Sequence, residues 1–442
     1  MPKQNSKIYD LYLSAKGIAL YHKMLKYSQY WTVDELVDFQ IEKLRHILVN
    51  AYEKTQYYHK LFLECNFNPY KDFHNIGDIQ RIPILKQCTA RSNKDQLVAE
   101  TQLGKGIELR TSGTTGEPFI VFSSPEHWVM EQGIVWRHWK WMGYKVRDRM
   151  AILRSYVPRD GEPLWKYEMT RNFMFMSAYH ISQDNIKLYV KKLREWKPRF
   201  IRGYPSSLYL LAKLMKVNTL TIEPLKAILT ASETLLPQYR EVIEESFGAP
   251  VFDWYGLAEP AITMCECQAH KGLHINMEYG LCELVEDASL PADQRRIVAT
   301  SLHNDVMPLI RYETKDIAIV DSKDVCSCGR KLPLVKQIIG RSDDFLYGSK
   351  GRILPSINFY TLFYEFPELT RFQIVQNSVD QIEIRISHQN VLTQNRRSEL
   401  LKELQSRIGS GVKVELLEND VFVQTGEGKT PVIIQKVKDI KI

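Results

Sequence analysis

Long apolar segments and blocks of basic residues are both missing from this sequence of 442 residues. No apolar run reaches the ~18–20 residues that a helix needs to cross a bilayer, and the N-terminus lacks the hydrophobic segment of a signal peptide. The sequence therefore predicts a soluble cytoplasmic protein without a membrane span. The net charge is +7, but basic residues cluster only briefly, as in Lys191-Lys192 and Arg396-Arg397. This pattern excludes a nucleic-acid-binding arm, and the mild positive bias favours anionic substrates such as nucleotides.

The seven cysteines are an odd number, and four of them form two Cys-x-Cys pairs, Cys265/Cys267 and Cys326/Cys328. In a cytosolic chain this spacing favours metal binding over disulfide formation. The length is sufficient for two or three domains.

The order of predicted elements indicates an α/β fold. Residues 1–100 are expected to be mostly helical, with a helix start signal at Thr32-Val-Asp-Glu35. Strands and helices alternate over 150–260, which predicts a parallel sheet with helices packed on it. Short β runs over 275–335 predict a small β subdomain. We expect three parts: a helical part over 1–100, the core of the large domain over 101–339, and a smaller α+β domain over 340–442.

A loop between two predicted strands is rich in glycine and hydroxyl residues. Glycine allows backbone N–H groups to approach an anion closely, so the loop is a candidate cradle for a polyphosphate. It is not the common phosphate-loop motif, because Glu117-Pro118 replaces Lys-Ser/Thr and disfavours a helix start with free donors. A solvated hairpin turn is the alternative. The candidate residues are Thr111, Ser112, Gly113, Thr114, Thr115 and Gly116.

Three predicted parallel strands end in residues with polar groups or with room for close backbone approach. In such sheets, ligands bind beyond the carboxyl ends of the strands. The three ends are Tyr204–Ser207, Ala231–Glu233 and Tyr255–Glu259. Ser232 and Glu233 are therefore candidates for nucleotide binding.

Five short motifs follow one another in a fixed order, and together they are far more specific than any one of them. They are Arg110–Pro118, Tyr255–Glu259, Arg311–Asp316, Gly340–Asp344 and Gly428-Lys429. On these motifs the chain resembles the adenylate-forming enzymes, and most closely the phenylacetate–coenzyme A ligase family with its members in capsular polysaccharide biosynthesis. The resemblance covers most of the chain. It implies a large adenylate-forming domain and a mobile C-terminal lid.

The resemblance also implies an activity in two half-reactions. A carboxylate attacks the α-phosphate of ATP and gives an acyl-adenylate and pyrophosphate. A thiol such as coenzyme A, or another acceptor, then takes the acyl group. The implied ligands are ATP/AMP, Mg²⁺, a small carboxylic acid and an acyl acceptor. The acid, the acceptor, the pathway and the oligomeric state stay open.

Site residues are carried over from the family by matching motifs. Glu259 is the expected Mg²⁺-side carboxylate, since Mg²⁺ prefers hard oxygen ligands. Asp316 offers two acceptor oxygens to the ribose hydroxyls, and Tyr255 is expected to stack on adenine. The remaining assignments are Gly256 for close approach, Arg341 for the ribose or phosphate region, Asp343 for the hinge, and Lys429 for the α-phosphate and the carboxylate.

Two departures from the family pattern leave alternatives open. Lys315 stands where the aspartate motif usually has glycine, and an arginine that often precedes the C-terminal lysine is missing before Lys429. One alternative is a nucleotidyltransferase that transfers AMP to a non-carboxylate acceptor. The other is a catalytically idle nucleotide-binding relative.

A zinc site is predicted from Cys267, His274, Cys326 and Cys328, because zinc favours tetrahedral sulfur and imidazole ligands. These spacings also resemble those of zinc-binding members of the family. Cys265 and His270 are alternative ligands, and reduced cysteines without a metal are the remaining alternative.

The acyl pocket is the least specified site. We expect it between the helix over 126–141, Arg154, the turn at Tyr204 to Ser207, Ser232 and Trp254. Arg154 would pair with a second anionic group of the substrate, unless it is a surface arginine. Trp136 forms one wall of the pocket, or else belongs to a buried aromatic stripe. The substrate-binding candidates are Trp136, Arg154, Tyr204, Ser206 and Trp254.

Overall fold

A computed structural model gives the fold. It describes residues 7–102, 106–110, 119–154, 156, 158, 161–178, 180–235, 237–321, 326–341, 345–348, 353–355, 366, 368–388, 391–409, 411–418, 422–423 and 433–437. The chain divides into two compact units. The larger comprises Met1–Leu109, Ile120–Thr314 and Ala318–Ile338, and the smaller comprises Arg110–Phe119, Lys315–Ile317 and Ile339–Ile442. The predicted division at residues 100 and 339 stays a prediction.

Ten α-helices are described. They are α1 Lys7–Leu20, α2 Lys26–Ser28, α3 Val33–Lys54, α4 Gln56–Glu64, α5 Gln87–Ser92, α6 Pro125–Trp141, α7 Ile186–Trp196, α8 Pro205–Val217, α9 Pro237–Phe247 and α10 Gln394–Ile408. A π-helical turn at Tyr21–Leu25 joins the first two, and 3₁₀ turns occur at Ile76–Arg81, Asp95–Leu97 and Glu100–Gln102. None of the helices in the described part of the chain combines the length and the apolarity needed to cross a membrane.

Two helix starts follow directly from the sequence. Thr32 caps α3 by accepting a hydrogen bond from the Glu35 amide, and the Glu35 side chain accepts one in return from the Thr32 amide. This reciprocal box satisfies two amides that a helix start otherwise leaves without partners. Ser124 caps α6 by accepting a hydrogen bond from the His127 amide, and Pro125 takes the first helical position, where no amide hydrogen is needed.

The first fourteen strands have these bounds: β1 Ile107–Arg110, β2 Ile120–Ser123, β3 Met150–Arg154, β4 Trp165–Glu168, β5 Phe173–Ser177, β6 Phe200–Gly203, β7 Ala227–Ala231, β8 Val251–Gly256, β9 Thr263–Glu266, β10 Leu273–Ile275, β11 Gly280–Val285, β12 Gln294–Ser301, β13 Tyr312–Ile319 and β14 Leu334–Val335. The remaining strands are β15 Gln337–Arg341, β16 Phe345–Tyr347, β17 Ile353–Pro355, β18 Leu369–Ser378, β19 Gln381–His388, β20 Lys413–Glu418 and β21 Ile433–Gln435.

A nine-stranded sheet organises the larger unit, in the order β14-β10-β9-β8-β7-β6-β3-β5-β4. Its five central strands, β5, β3, β6, β7 and β8, pair in parallel. Helices α7, α8 and α9 lie in the connections that lead to β6, β7 and β8. The parallel sheet predicted from the alternating pattern is therefore confirmed. The outer strands β4, β9, β10 and β14 run antiparallel and extend the sheet beyond that prediction.

One face of this sheet carries the aromatic core. Strand alternation places Ile152, Leu229 and Phe252 on the same face, and all three are buried with Met130 and Ile134 of α6. Burial of such side chains contributes about 1.5–3 kcal/mol each. This packing fixes α6 over the sheet and so positions the strand ends described below.

Strands β11, β12, β13 and β15 form a four-stranded sheet in that order, which agrees with the small β subdomain expected from the short β runs. β1 pairs with β2.

The smaller unit has a sheet of its own in the order β20-β19-β18-β21. Strands β18 and β19 are antiparallel, whereas β20 and β21 pair in parallel with their neighbours. Ile382, Ile384 and Ile386 alternate along β19 and are buried against Leu400 and Leu404 of α10. The predicted α/β class, with a smaller α+β part at the C-terminus, is confirmed.

Candidate functional site

Three neighbouring parallel strands end at one edge of the large sheet. Thr230 of β7 pairs with Gly203 of β6 and with Asp253 of β8, so the residues that follow these strands share the carboxyl edge. They include Tyr204, Ser232 and the segment after Gly256. The edge is the place where open parallel sheets bind ligands.

Ser232 has a backbone conformation that a side chain disfavours. Its φ is +75°, which costs a non-glycine residue about 1–3 kcal/mol and is most frequent at functional sites. Its hydroxyl accepts a hydrogen bond of 3.4 Å from Nη2 of Arg154. The structure thus brings two of the predicted site residues together, one assigned to the nucleotide and one to the acyl pocket.

Glycine is required at position 256 because the Trp254 side chain of the same strand occupies the space that a Cβ would need. A Cβ at this position would lie 2.7 Å from Nε1 of Trp254, closer than real side chains approach. The absent side chain therefore makes room for the Trp254 indole, which packs 5.7 Å from the His138 ring. Tyr255, between them in the sequence, is half-buried.

Glu259 joins two motifs that are far apart in the sequence. It is buried, and its Oε1 accepts a 2.8 Å hydrogen bond from the Tyr312 hydroxyl. Tyr312 belongs to the Arg311–Asp316 motif on β13, so the strand-end motif and the aspartate motif meet at this contact. Within the described part of the chain, Oε2 of Glu259 has no hydrogen bond.

Arg311 anchors the start of the aspartate motif. Its guanidinium contacts the Glu283 carboxylate at 2.9 Å and donates to the carbonyl oxygens of Ile82, at 2.7 Å, and Gln80, at 3.1 Å. Hydrogen bonds of this charge-assisted kind are the strong ones in proteins. Arg311 therefore holds β13 in place and has its charge neutralised within the chain.

Lys315 has a left-handed backbone conformation. Its φ is +65°, in the region that glycine, the usual residue of the motif, enters without cost. The lysine therefore places a side chain on a backbone that suits glycine. Asp316, next to it on β13, is buried.

Several predicted residues lie outside the described part of the chain. These are Thr111, Ser112, Gly113, Thr114, Thr115, Gly116, Asp343 and Lys429, together with the side chains of Ser206 and Arg341. Their assignments stay predictions. Glu233 follows Ser232 and is exposed at the sheet edge.

The candidates for the acyl pocket fall into two groups. The Arg154 guanidinium lies 5.3 Å from the centre of the Tyr204 ring, and Trp254 is half-buried on the same face of the sheet. Trp136, in contrast, is 7% exposed and packs edge-on against Tyr144 at 5.7 Å. The aromatic stripe expected as the alternative for Trp136 is thus present.

The four predicted metal ligands come together. The ligand atoms of Cys267, His274, Cys326 and Cys328 lie within 4.8 Å of one another. Cys267 and Cys326 have their sulfurs 3.5 Å apart, and the Cys328 sulfur is 3.3 Å from Nε2 of His274. Nδ1 of His274 is 2.9 Å from the Leu332 carbonyl, which accepts its proton and leaves Nε2 directed at the sulfurs. Orientation of the ring by such a contact is typical of metal-bound histidine.

The two alternative ligands have other partners. The Cys265 sulfur is 3.1 Å from Nδ2 of Asn276, which donates to it. His270 has its Nδ1 3.1 Å from Glu266. The arrangement therefore favours the four residues named from the sequence over either alternative.

Two residues of this edge were not singled out from the sequence. Tyr312 is one member of the Arg311–Asp316 motif, and nothing local in the sequence indicates that its hydroxyl reaches Glu259. Arg202 lies in the region of alternating strands and helices over 150–260, where a charged residue inside an otherwise apolar parallel strand is itself a signal of function.

Comparisons with known proteins agree with the motifs. A family model described as the CapK C-terminal domain matches residues 346–436. Protein CapK of Staphylococcus aureus is 24% identical over 422 residues, which covers 92% of this chain and 90% of that protein. A phenylacetate–coenzyme A ligase of Thermus thermophilus is 26% identical over 377 residues, which covers 80% of this chain and 81% of the ligase.

A solved structure has the same fold. A 2-hydroxyisobutyryl-CoA ligase in the postadenylation state, in complex with 2-HIB-AMP, superposes with a TM-score of 0.68 at 19% identity and covers 93% of both chains. The predicted resemblance is confirmed: over most of its length the chain is similar to Protein CapK and to the phenylacetate–coenzyme A ligases, and it has the fold of adenylate-forming acyl-CoA ligases.

Proposed function

We propose that this protein is an AMP-forming acid ligase, which activates a carboxylic acid with ATP and transfers the acyl group to coenzyme A. The observation that carries the proposal is the hydrogen bond from Tyr312 to Glu259. It brings the strand-end motif and the aspartate motif, both expected to bind the nucleotide, to the same edge of the sheet. Capsular polysaccharide biosynthesis, the pathway implied by the motifs of the sequence, is part of the same proposal.

The proposal assigns a role in binding Mg²⁺ or the nucleotide to each candidate residue near the carboxyl edge of the sheet. Glu259 is suited to hold Mg²⁺, because its Oε2 has no hydrogen bond within the described part of the chain and carboxylate oxygens are the ligands Mg²⁺ prefers. When bound, the ion would neutralise phosphate charge. Tyr255 and Ser232 would flank the nucleotide, and Asp316 would accept the ribose hydroxyls.

Lys429 has the central role in the first half-reaction. A lysine ammonium is a compact positive charge, and it would stabilise the negative charge that develops between the α-phosphate and the attacking carboxylate. The loop over 112–116 would hold the β- and γ-phosphates, and Arg341 would reach the ribose or phosphate region. Asp343 would be the hinge of the small domain for the second half-reaction.

The first test is acid-dependent release of pyrophosphate from ATP with Mg²⁺, without a thiol, over aryl, aliphatic, amino and sugar acids. We expect release with one class of acid and thioester formation when coenzyme A is added. Lys429→Ala should lower the rate about 100-fold or more, since it removes an electrostatic contact made in the transition state. Lys436→Ala, at an exposed lysine in the same C-terminal stretch, is the matched control.

Each outcome separates the alternatives. Transfer of AMP to a non-carboxylate acceptor, without dependence on an acid, would favour a nucleotidyltransferase. ATP binding without turnover would favour an idle relative. A Lys429→Ala variant with normal pyrophosphate release would remove Lys429 from the mechanism.

We also propose that Cys267, His274, Cys326 and Cys328 bind a structural zinc ion. Three thiols and one imidazole fill the four positions of tetrahedral zinc and leave none for a substrate. The orientation of His274 by the Leu332 carbonyl fits this role.

Metal analysis tests the zinc site. We expect about one zinc per chain, and Cys326→Ser should lose the metal and lower the melting temperature, because metal binding contributes to folding. Cys88→Ser, at an exposed cysteine, should change neither. Undamaged protein without stoichiometric zinc would refute the assignment.

A further inference from the structure

Two arginines lie side by side at the carboxyl edge of the large sheet. Arg202 of β6 pairs with Ile152 of β3, and Arg154 follows Ile152 by two positions. Because side chains two apart on a strand share a face, Arg154 and Arg202 both project from the face that carries the aromatic core. Tyr204, two residues after Arg202, lies 5.3 Å from the Arg154 guanidinium.

Neither charge is neutralised within the described part of the chain. There, neither Arg154 nor Arg202 forms an ion pair with a carboxylate. Nε of Arg154 is buried and lacks a hydrogen-bond partner among the described residues, and its Nη2 reaches only the Ser232 hydroxyl, at 3.4 Å. The Arg154 guanidinium therefore has a donor without a partner in the described structure, and the planar fork of a guanidinium matches the oxygens of a carboxylate or a phosphate.

Two carboxyl groups are near, Glu131 and Glu233, and neither forms an ion pair with either arginine among the described residues. Glu131 of α6 accepts a 3.4 Å hydrogen bond from the Tyr279 hydroxyl and lies 3.8 Å from Nε2 of His127. Burial raises the pKa of Glu131, and the Arg202 charge acts in the opposite direction. Glu233 is exposed and attracts Arg154 from a distance. In the described part of the chain, no carboxylate is therefore in contact with either guanidinium.

The environment makes the two arginine charges costly. Burial and the neighbouring Arg154 charge together lower the pKa of Arg202 to about 9. Burial also lowers the pKa of Arg154. Both side chains are half-buried, so two like charges share one face of the sheet with reduced access to water. Two like charges held close together destabilise the protein without a ligand, and such an arrangement is typical of an anion-binding site.

The surroundings of the two arginines indicate the shape of that anion. The same face is apolar below them, with Ile152, Leu229 and Phe252 in the core. Trp254 lies on this face too, since it pairs with Ala231 two positions after Leu229. A ligand here would place a carbon skeleton near the aromatic rings and one charged end at the arginines.

Resting on the ligase function proposed above, we propose that the acid substrate carries a second anionic group, and that this group binds between Arg154 and Arg202. One carboxylate of the substrate is activated with ATP, and the other anionic group remains unreacted at the arginine pair. The substrate class is therefore dicarboxylic acids and acids with an equivalent second anion, such as phosphorylated acids.

Matched pairs of acids test the proposal. The pairs are succinate with butyrate, adipate with hexanoate, and terephthalate with 4-methylbenzoate, which differ in the second charge and little in size. Acid-dependent pyrophosphate release should show a kcat/KM at least about 10-fold higher for the dianion of the preferred pair. This is the factor that one charge-assisted hydrogen bond supplies.

Variants connect the preference to the two residues. Arg154→Met and Arg202→Met should each lower kcat/KM for the dianion about 10- to 100-fold, and both should lower it far more than they lower the value for the matched monoanion. For Arg202→Met the KM for ATP should stay within about 3-fold. Arg202→Lys should keep part of the preference. Arg199→Met is the matched control, because Arg199 lies at the other end of β6 and pairs with Asp148 at 2.9 Å.

Binding and folding are measured separately from turnover. Calorimetric titration of each acid into protein with AMP should show dianion binding that Arg202→Met loses. The melting temperature of Arg202→Met should not fall, because the variant removes a charge that the empty protein holds at a cost. A purely structural arginine would give a clear fall instead.

The outcomes distinguish this inference from the proposed function. Equal use of monoanions and dianions, or variants that affect both alike, would overturn the substrate class and leave acid activation standing. An increased KM for ATP in Arg202→Met would assign the arginines to the nucleotide and also overturn it. Dianion binding without any pyrophosphate release would support the anion site and refute the ligase function. Absence of both binding and release with every dianion would overturn the inference.

Discussion

The larger unit contains two kinds of arginine beside the same core. Arg137 of α6 is 1% exposed and contacts Glu278 at 2.6 Å and Asn276 at 2.8 Å. Arg154 and Arg202 lie at the sheet edge, and among the described residues they form no ion pair. Arg154 and Arg202 are half-buried, whereas Arg137 is fully buried, and the two kinds also differ in whether a described carboxylate pairs with the arginine.

This difference separates stability from function. Burial alone would raise the pKa of Glu278, but Arg137 and the Ser28 hydroxyl lower it overall, so the Arg137 pair is ionised and complete. Arg311, with Glu283 at 2.9 Å, is of the same kind. In a complete pair the carboxylate neutralises the arginine charge, so no anionic ligand is needed there, although Nε of Arg137 has no hydrogen-bond partner among the described residues. At the sheet edge no described carboxylate neutralises the two arginines, and they are therefore the better indicator of the substrate.

The largest effect is expected at the complete pair. Arg137→Met should lower the free energy of unfolding by about 3–5 kcal/mol, because Glu278 is then a buried charge without its partner. Urea denaturation at pH 7 measures the change. In the same assay Arg202→Met should lose no stability, since Arg202 forms no ion pair with a described carboxylate and its removal leaves none without a partner.

A double variant checks the cause. Arg137→Met with Glu278→Leu removes both charges and should recover most of the loss, since apolar replacements of buried pairs are often neutral or stabilising. If Arg137→Met cost less than about 1 kcal/mol, like an exposed pair, the distinction between the two kinds of arginine would fail.

His127 adds a third case to the comparison of the arginines. It is a buried titratable group that avoids the cost of a buried charge because its imidazole is neutral. Burial, together with the nearby His303, lowers the pKa of His127 to about 3, and its Nε2 lies 2.6 Å from the Tyr279 hydroxyl. In the unfolded chain the pKa is about 6.5. The unfolded state therefore binds a proton that the folded state does not, and stability decreases as the pH falls below about 6.5.

His127→Gln should remove this contribution. Between pH 6.5 and pH 5 the wild type should lose about 2 kcal/mol more than the variant, as expected for one proton over this interval. Chemical denaturation at several pH values measures the slope. His74→Gln, at an exposed histidine, should keep the wild-type slope. An unchanged slope in His127→Gln would show that the ring is already protonated in the folded protein.

Local patterns in the sequence predicted much of this unit. Alternating strands and helices gave the parallel sheet, and the strand ends followed from it. The zinc ligands followed from Cys-x-Cys spacing and soft-ligand chemistry, and the structure gathers the same four side chains. The parallel sheet is confirmed, because alternation of strands and helices is a local pattern with one usual outcome, whereas zinc binding by the four side chains stays a prediction.

Contacts that depend on strand order or on residues far apart in the chain could not be predicted from local patterns in the sequence. Arg154 and Arg202 share a face only because β3 lies next to β6 in this register. Tyr312 and Glu259 are 53 positions apart, and no local pattern links them. The strand Phe173–Ser177 was not predicted either, because it is covered on both faces and its sequence, Phe-Met-Phe-Met-Ser, does not alternate.

The smallest effect on stability is expected at Lys315, where the cost comes from the backbone conformation and not from charge. Like Arg202, it is a residue kept at a cost to stability, here because its φ of +65° is strained for any side chain. Lys315→Gly should therefore be more stable than Lys315→Ala by about 1 kcal/mol, since both lose the lysine side chain and only glycine relieves the strain. Thermal denaturation of the two variants measures the difference. Equal melting temperatures would mean that the backbone at this position relaxes in solution, and the match to the usual glycine would no longer support the intact aspartate motif.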